Sequence, residues 1–211
     1  GVQTCALPIY NSKLYAGKNS PLKLYVSDFD HNGTIEQIMC YTVDGEEYTF
    51  LAKDELERSL PVLKKAYLNY KDVAGKTVQY MFYDLFKGYT ELKAEVLGSS
   101  CFMNDGQGNF TRKDLPDELQ LAPVMAFGPA IDKSTNSYIA AGNFYGVIPY
   151  EGRYDALLPT MFTVDGKSWN HLLPDIDGEV RDIKWINTGN GNKIIALARN
   201  NQEIVFLKPK N

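Results

Sequence analysis

The sequence predicts a mainly β protein with one short α-helical insertion. Short apolar segments alternate with turns rich in Gly, Asn and Asp along most of the 211 residues, which is typical of antiparallel strands joined by tight connections. A helical period is confined to one segment that begins near residue 52. The composition, 44% hydrophobic and 23% charged, is ordinary for a globular chain.

Two pairs of short segments recur at nearly the same spacing. Residues 105–110 (DGQGNF) resemble 165–169 (DGKSW), and residues 139–143 (IAAGN) resemble 195–200 (IALARN). A repeat of about 60 residues fits the blades of a β-propeller with long loops. The chain holds about three such blades and a closed propeller needs about four or more, so we expect a partial β-propeller. It is expected to be the C-terminal part of a larger propeller or to close by association. Coincidence among common turn residues is the alternative.

The stretch 28–36 (DFDHNGTIE) places oxygen-bearing groups at alternate positions of a loop. Carboxylate, carboxamide and carbonyl oxygens are the ligands of Ca²⁺, which takes about six to eight of them. The predicted ligands are four side chains and one backbone carbonyl, those of Asp28, Asp30, Asn32 and Glu36 and that of Thr34. Gly33 permits the sharp turn that such a loop needs. The sequence therefore predicts Ca²⁺ as the cofactor.

This loop has two alternative interpretations. A helix–loop–helix calcium site needs a Glu at its twelfth position and helices on both sides. Here the twelfth position is Met39, and residues 22–27 and 35–41 have the apolar content and alternation of strands. We therefore expect a strand–loop–strand site. A polar turn that binds nothing is the other alternative, although three acidic side chains that face one point repel each other without a cation.

Three motifs resemble those of the FG-GAP or VCBS repeats of bacterial surface proteins. The loop 28–36 is similar to the calcium loop that these repeats share with the integrin α-subunit propeller, and residues 101–110 (CFMNDGQGNF) look like their N-D-G-x-G-x-F hairpin. Residues 142–146 (GNFYG) and 152–155 (GRYD) resemble the end region of VCBS repeat-containing proteins from Bacteroidota. The resemblance covers about residues 20–208. It implies a multi-blade β-propeller from an exported protein, and it informs architecture more than function.

The helical segment is expected to hold several short helices. Asp54 and Glu57 have the spacing of a capping box, Pro61 is expected to restart a helix, and residues 77–86 predict a further short helix. An apolar stripe along these helices suits packing against the sheets, with partner binding as the alternative.

A second candidate site is a cluster of aromatic and charged residues. Aromatic rings beside an arginine and a carboxylate are common where proteins bind sugars or peptide surfaces. The cluster comprises Phe144, Tyr145, Tyr150, Arg153, Tyr154 and Asp155. It predicts a carbohydrate or protein ligand, and the alternative is that these rings cover the edge of the propeller.

Other function classes find less support in the sequence. The formal net charge of −4 disfavours nucleic-acid binding, and Lys64, Lys65 and Lys71 form one helix face without stacking aromatics. Of the two histidines, neither His31 nor His171 lies near a nucleophile motif, and no Gly-rich phosphate loop opens a helix. A carboxylate pair for glycoside hydrolysis stays open because such groups meet only in space. No catalytic residue is predicted.

The expected organisation has four segments. Residues 1–9 look like translated adapter sequence rather than native protein, 10–51 form the first blade with the calcium loop, 52–97 form the helical insertion, and 98–211 form two further blades. The sequence contains no run of about 18 apolar residues that could span a membrane. We expect the chain to be a C-terminal fragment from which the signal segment is absent. Cys40 and Cys101 are expected to be buried free thiols in strands.

The predicted function is that of a calcium-binding β-propeller module of an exported bacterial surface protein, acting in adhesion or in ligand binding. Calcium points to a cell-surface, periplasmic or extracellular location, because weak loop sites fill where calcium reaches about 10⁻⁴–10⁻³ M. The remaining blades of the full-length protein are expected partners. The alternative is the substrate-binding or catalytic part of a polysaccharide-processing enzyme.

Overall fold

The computed structural model of the protein describes residues 14–130, 137–147, 152–165, 168–169, 176–189 and 191–208. Strands outweigh helices at 41% against 16%, which confirms a mainly β protein. The described chain divides into two compact units, one formed by residues 14–96 and one by the residues from 97 onward.

The first unit is built on one antiparallel sheet of four strands. Its strands are β1 (Leu22–Ser27), β2 (Glu36–Val43), β3 (Glu46–Thr49) and β4 (Thr90–Ala94). They lie in the order β3-β2-β1-β4. β2 and β3 are joined by Asp44 and Gly45, both with positive φ, as two-residue hairpin turns favour. β4 lies within residues 52–97, the range that the sequence analysis assigned to the helical insertion.

Three short α-helices lie between β3 and β4: α1 (Lys53–Ser59), α2 (Val62–Ala66) and α3 (Val78–Phe82). Pro61 caps the start of α2, which confirms the predicted restart. The predicted capping box at Asp54 and Glu57 lies two residues too late, because the N-cap of α1 is Ala52 and the Glu55 carboxylate accepts from the Ala52 amide.

Two 3-10 turns, Tyr70–Asp72 and Tyr83–Leu85, complete the helical segment. The predicted helix over residues 77–86 therefore ends early, since Tyr83 has a φ of 35° and interrupts the α-helical path after Phe82.

The core of the first unit lies between its sheet and the helices. Its members are Tyr25, Phe29, Ile38, Cys40, Leu56, Leu60, Leu63, Val78, Met81 and Phe82. The core side chain of β1 is Tyr25, whereas Leu24 and Val26 on the opposite face are only half-buried. The helical stripe thus packs against the sheet within its own unit.

The second unit contains a hairpin and two larger antiparallel sheets. The hairpin pairs β5 (Ser100–Asn104) with β6 (Phe110–Asp114). The next sheet is a sequential meander of β7 (Val124–Pro129), β8 (Ser137–Gly142), β9 (Thr160–Thr163) and β10 (Ser168–Trp169). The last sheet is a meander of β11 (Val180–Asn187), β12 (Lys193–Arg199) and β13 (Val205–Leu207). A 3-10 turn, Asp117–Gln120, precedes β7.

The sheets of the second unit are packed as successive layers. Along β8, Ile139 and Ala141 pack with Ile195 of the last sheet, whereas Ala140 faces the other way and packs with Cys101 and Leu119. The strand β8 is therefore buried on both faces, because it lies between two packed layers. The recurring segments 139–143 and 195–200 run along β8 and β12, which are the second strands of their sheets.

No sheet closes into a barrel within the described ranges. Sequential meanders that stack face to face have the order expected of propeller blades. The first sheet differs, because β4 returns after the helices to the free edge of β1. The propeller remains a prediction. In these ranges no helix combines the length and apolar character needed to cross a membrane.

Candidate metal centre

The loop between β1 and β2 begins directly after Ser27 and ends at Glu36, and these two residues form the last pair of the antiparallel ladder. The flanks are strands, so the predicted strand–loop–strand arrangement is confirmed. His31 and Gly33 adopt positive φ values of 58° and 88°. Left-handed backbone at these positions turns the chain sharply enough to bring both ends of the loop together.

Backbone amides of the loop are bound by its own side chains. The Asp28 carboxylate accepts hydrogen bonds from the Asn32 amide through Oδ1 and from the Gly33 amide through Oδ2, both at 2.9 Å. Asn32 Oδ1 accepts one from the Thr34 amide at 2.7 Å. These hydrogen bonds hold the backbone of the loop around Asp28, the first predicted ligand.

Three carboxylates converge inside this loop. One oxygen each from Asp28, Asp30 and Glu36 lies within 4.8 Å of the others. Glu36 is 3% exposed, and its Oε2 accepts from the Phe29 amide at 2.9 Å. Glu36 Oε1 and Asp30 Oδ1 are buried without a hydrogen-bond partner. Two of the three converging carboxylates thus each carry a buried oxygen that no protein donor meets.

The burial of these oxygens is costly in the absence of a cation. Two like charges about 4 Å apart repel by about 4 kcal/mol at an effective dielectric constant of about 20. A buried carboxylate oxygen without a donor adds its own desolvation cost. A cation bound among the three groups removes both costs, and among the described residues they form the one group of three or more acidic, His or Cys side chains placed to hold a metal.

The structure brings together three of the five predicted ligands. Asn32 and Thr34 lie on the exposed side of the loop, and the Asn32 side-chain oxygen is engaged by the Thr34 amide. That oxygen has a second lone pair, so it retains capacity for an ion. Sequence reasoning missed Phe29, whose ring is 1% exposed in the core. The sequence signal for its burial was an apolar residue between two carboxylates, Asp28 and Asp30.

The second candidate site is only partly exposed. Tyr154 is 4% exposed and packs in a core cluster, and Phe144 packs against the same cluster from a half-buried position. Tyr145 is half-buried, and the Arg153 guanidinium lies 3.8 Å from the centroid of its ring. Arg153 Nε is 3.6 Å from Asp155 Oδ2. Tyr150 lies outside the described residues.

A buried polar network lies beside this segment. Glu179 is 7% exposed, its Oε1 accepts from the Tyr145 amide at 2.8 Å, and Arg181 donates to the same oxygen at 2.6 Å. Arg181 also donates to the Asn143 carbonyl at 3.0 Å. From sequence alone, the carboxylates Asp175, Asp177 and Glu179 around Gly178 are expected to form a solvated turn. This expectation is wrong for Glu179, because these donors compensate its burial. Asp175 lies outside the described residues.

The two described cysteines are buried and free, as expected. Burial raises the pKa of the Cys40 thiol to about 12, with a further contribution from the Glu47 carboxylate. A thiol with so high a pKa is a weak nucleophile at neutral pH. Cys40 is therefore a core residue and not a reactive one.

Comparison with known proteins found no matching family model, no matching curated protein and no matching solved structure.

Proposed function

We propose that this chain is a calcium-binding module and that the loop 28–36 is its ion site. The observation that carries the proposal is the pair of buried, unpartnered oxygens on Asp30 and Glu36 within reach of Asp28. A cation is the simplest partner for acceptor-only groups that converge out of contact with donors.

Calcium fits the donor set better than other metals do. The candidate ligands are all oxygens, whereas zinc, copper and nickel favour imidazole and thiolate ligands. Magnesium demands near-octahedral geometry and keeps several waters, but calcium accepts a flexible loop with mixed carboxylate, amide and carbonyl ligands. We infer that the Asn32 side chain and the Thr34 carbonyl complete the shell together with water.

Calorimetric titration of the full chain with CaCl₂ tests this proposal. We expect one site with a dissociation constant of about 10⁻⁴–10⁻³ M, in the range of extracellular modules. Calcium at ten times that constant adds about 1.4 kcal/mol of stability. That is a rise in melting temperature of about 6–11 °C for a unit of about 80 residues.

Glu36→Gln is the informative variant, because it keeps an oxygen for the Phe29 amide but removes the buried charge. We expect it to abolish the heat of binding and the melting shift. Glu46→Gln removes an exposed carboxylate of β3 in the same unit and is the matched control. Equal shifts in wild type and Glu36→Gln, or no heat with wild type, would rule the site out.

We further propose that the module belongs to an exported FG-GAP or VCBS-type propeller and serves adhesion or the binding of a carbohydrate or protein. The stacked meanders of the second unit support this architecture. On the last sheet, the face opposite its packed core carries Ile186, which is 39% exposed, Ile194, and Phe206, which is 57% exposed. This face is proposed to receive a further blade.

A further inference from the structure

We propose that Asn32 is a deamidation site and that its reaction is controlled by occupancy of the calcium loop. The inference rests on the proposed calcium function, which it extends to the chemical lifetime of the loop. It starts from an Asn-Gly pair, Asn32 and Gly33, in which both residues are exposed and Asn32 is itself a proposed ligand.

The reaction is a cyclisation that needs no redox partner. The Gly33 backbone nitrogen attacks Cγ of the Asn32 side chain, a new N–Cγ bond forms, and the Cγ–Nδ2 bond breaks. The leaving nitrogen departs as ammonia and carries away the former amide proton of Gly33. Water then opens the succinimide ring at either carbonyl, which leaves aspartate or isoaspartate at position 32. Glycine favours the attack because it has no side chain to hinder the approach of its nitrogen.

Both reacting groups are held in the folded loop. The Gly33 amide donates to Asp28 Oδ2 at 2.9 Å, and the Asn32 side-chain oxygen accepts from the Thr34 amide at 2.7 Å. The ring can close only when Cγ of Asn32 turns toward the Gly33 nitrogen, so these bonds must first give way. The folded loop therefore resists the reaction.

An ion adds to this resistance, because it fixes the same groups. Asp28 holds the Gly33 amide and also supplies one of the three converging oxygens. Calcium bound to the Asp28 carboxylate and to the Asn32 side-chain oxygen would oppose rotation of these two side chains. Without the ion, repulsion among the three carboxylates favours opening of the loop.

The two products have opposite consequences for the site. Aspartate at position 32 adds a carboxylate at a ligand position and strengthens ion binding. Isoaspartate inserts an extra carbon into the backbone before Gly33 and displaces Thr34 and Glu36 relative to Asp28, which weakens ion binding. A chain left without calcium thus loses part of its binding capacity irreversibly.

Timed incubation of the full chain at 37 °C, with excess CaCl₂ or with a chelator, tests the proposal. Peptide mapping by mass spectrometry follows the replacement of NH₂ by OH at position 32, and isoaspartate is detected by enzymatic methylation. The pair Asn190-Gly191 lies elsewhere in the sequence and is the internal reference. We expect calcium to slow the reaction of Asn32 several-fold relative to that reference, and not to slow it in Glu36→Gln.

The possible outcomes separate the two proposals. If calorimetry shows calcium binding but the rate at Asn32 is the same with calcium and with chelator, this inference fails and the calcium site stands. Equal slowing at Asn32 and Asn190 also overturns it, because the effect is then not local. If calcium does not bind at all, both proposals fall.

Discussion

The backbone amide of Phe29 donates to Glu36 Oε2 at 2.9 Å, while the ring of Phe29 is buried among core residues. The ring lies 6.3 Å from that of Phe82 on α3 and 6.2 Å from that of Phe86, measured between centroids. One residue therefore connects the carboxylates of the loop to the helices that cover the sheet. Ion binding and core packing of the first unit are expected to be coupled through it.

Phe29→Ala is expected to weaken both properties. Removal of a buried phenyl ring costs about 3–5 kcal/mol of unfolding free energy. The calcium affinity should also fall, because the loop loses the anchor that positions Glu36. Urea unfolding and calorimetric titration of the same samples measure the two effects.

Ile35→Ala is the matched control for this variant. Ile35 belongs to the same loop but is 62% exposed, so its truncation should change stability by no more than about 0.5 kcal/mol. Normal calcium affinity in a destabilised Phe29→Ala variant would show that the anchor and the ion site are independent.

Asn143 is expected to be a major determinant of stability in the second unit. It is 1% exposed with a φ of 79°, and its side chain donates to the carbonyls of Leu157 and Gly178 and accepts from the Leu157 amide. Asn143→Gly keeps the left-handed backbone but loses these bonds, which should cost about 3 kcal/mol. Asn143→Ala should cost about 1 kcal/mol more, because alanine is strained at positive φ.

Chemical denaturation of both variants separates the two terms. The difference in free energy of unfolding between Asn143→Ala and Asn143→Gly measures the backbone strain. The difference between Asn143→Gly and wild type measures the contribution of the hydrogen bonds. One hydrogen bond usually contributes about 1 kcal/mol to the free energy of unfolding. An Asn143→Gly variant whose free energy of unfolding lies within about 1 kcal/mol of wild type would therefore contradict the assigned role.

The stability of the first unit is expected to fall at alkaline pH, partly because of Cys40. Burial raises its folded-state pKa to about 12, above the value of about 8.5 for an exposed thiol. Between these values the unfolded chain has released the proton and the folded chain has kept it. The stabilisation is therefore complete below about pH 8.5 and declines by at most about 1.4 kcal/mol per pH unit above it.

Urea unfolding from pH 8 to pH 10 in wild type and Cys40→Ala measures this contribution. The difference in unfolding free energy between the two should shrink as the pH rises. The same burial predicts that Cys40 resists alkylation at pH 8 until the chain unfolds. A parallel pH dependence of both proteins would exclude titration of this thiol.

Much of the geometry of the loop 28–36 could be predicted from sequence because its information is local. Asp28, Asp30 and Glu36 lie within a nine-residue stretch, and the turn between them depends on Gly33. What sequence could not show was that two of their oxygens are buried without donors, since burial depends on residues that arrive from other elements. Phe29 is buried by Phe82, more than fifty positions away.

Pairing between distant segments was the other limit. Residues 90–94 pair with β1, although the whole helical segment separates the two in sequence. The pattern of apolar and polar residues in 90–94 does not indicate which strand they pair with. The burial of Glu179 could not be predicted from sequence, because one of its two donors is distant in sequence. That donor is the amide of Tyr145, and the other is the neighbouring Arg181. The second strands at 139–143 and 195–200 were recognised as related, since their apolar pattern repeats.

The apolar outer face of the last sheet predicts self-association of the chain. Phe206 is 57% exposed on β13, and the face proposed to receive a further blade can bind a second copy of the chain instead. Phe206→Lys should shift the chain toward the monomer in light scattering over a range of concentrations. Leu68→Lys, at a site 79% exposed on the first unit, is the control. A wild-type chain that stays monomeric at high concentration would argue against the proposed use of this face.

The aromatic segment contains both packed and exposed residues. Tyr154→Ala should cost about 3 kcal/mol or more in thermal or urea unfolding, because its ring is buried in the core. Arg153→Ala should change stability by no more than about 0.5 kcal/mol, since its side chain is 58% exposed.

If this segment binds a carbohydrate or protein, Arg153→Ala should lower the signal on a glycan or surface-protein array, because it removes the cation beside Tyr145 and Asp155. Unchanged array binding by a folded Arg153→Ala variant would place the ligand site elsewhere on the chain.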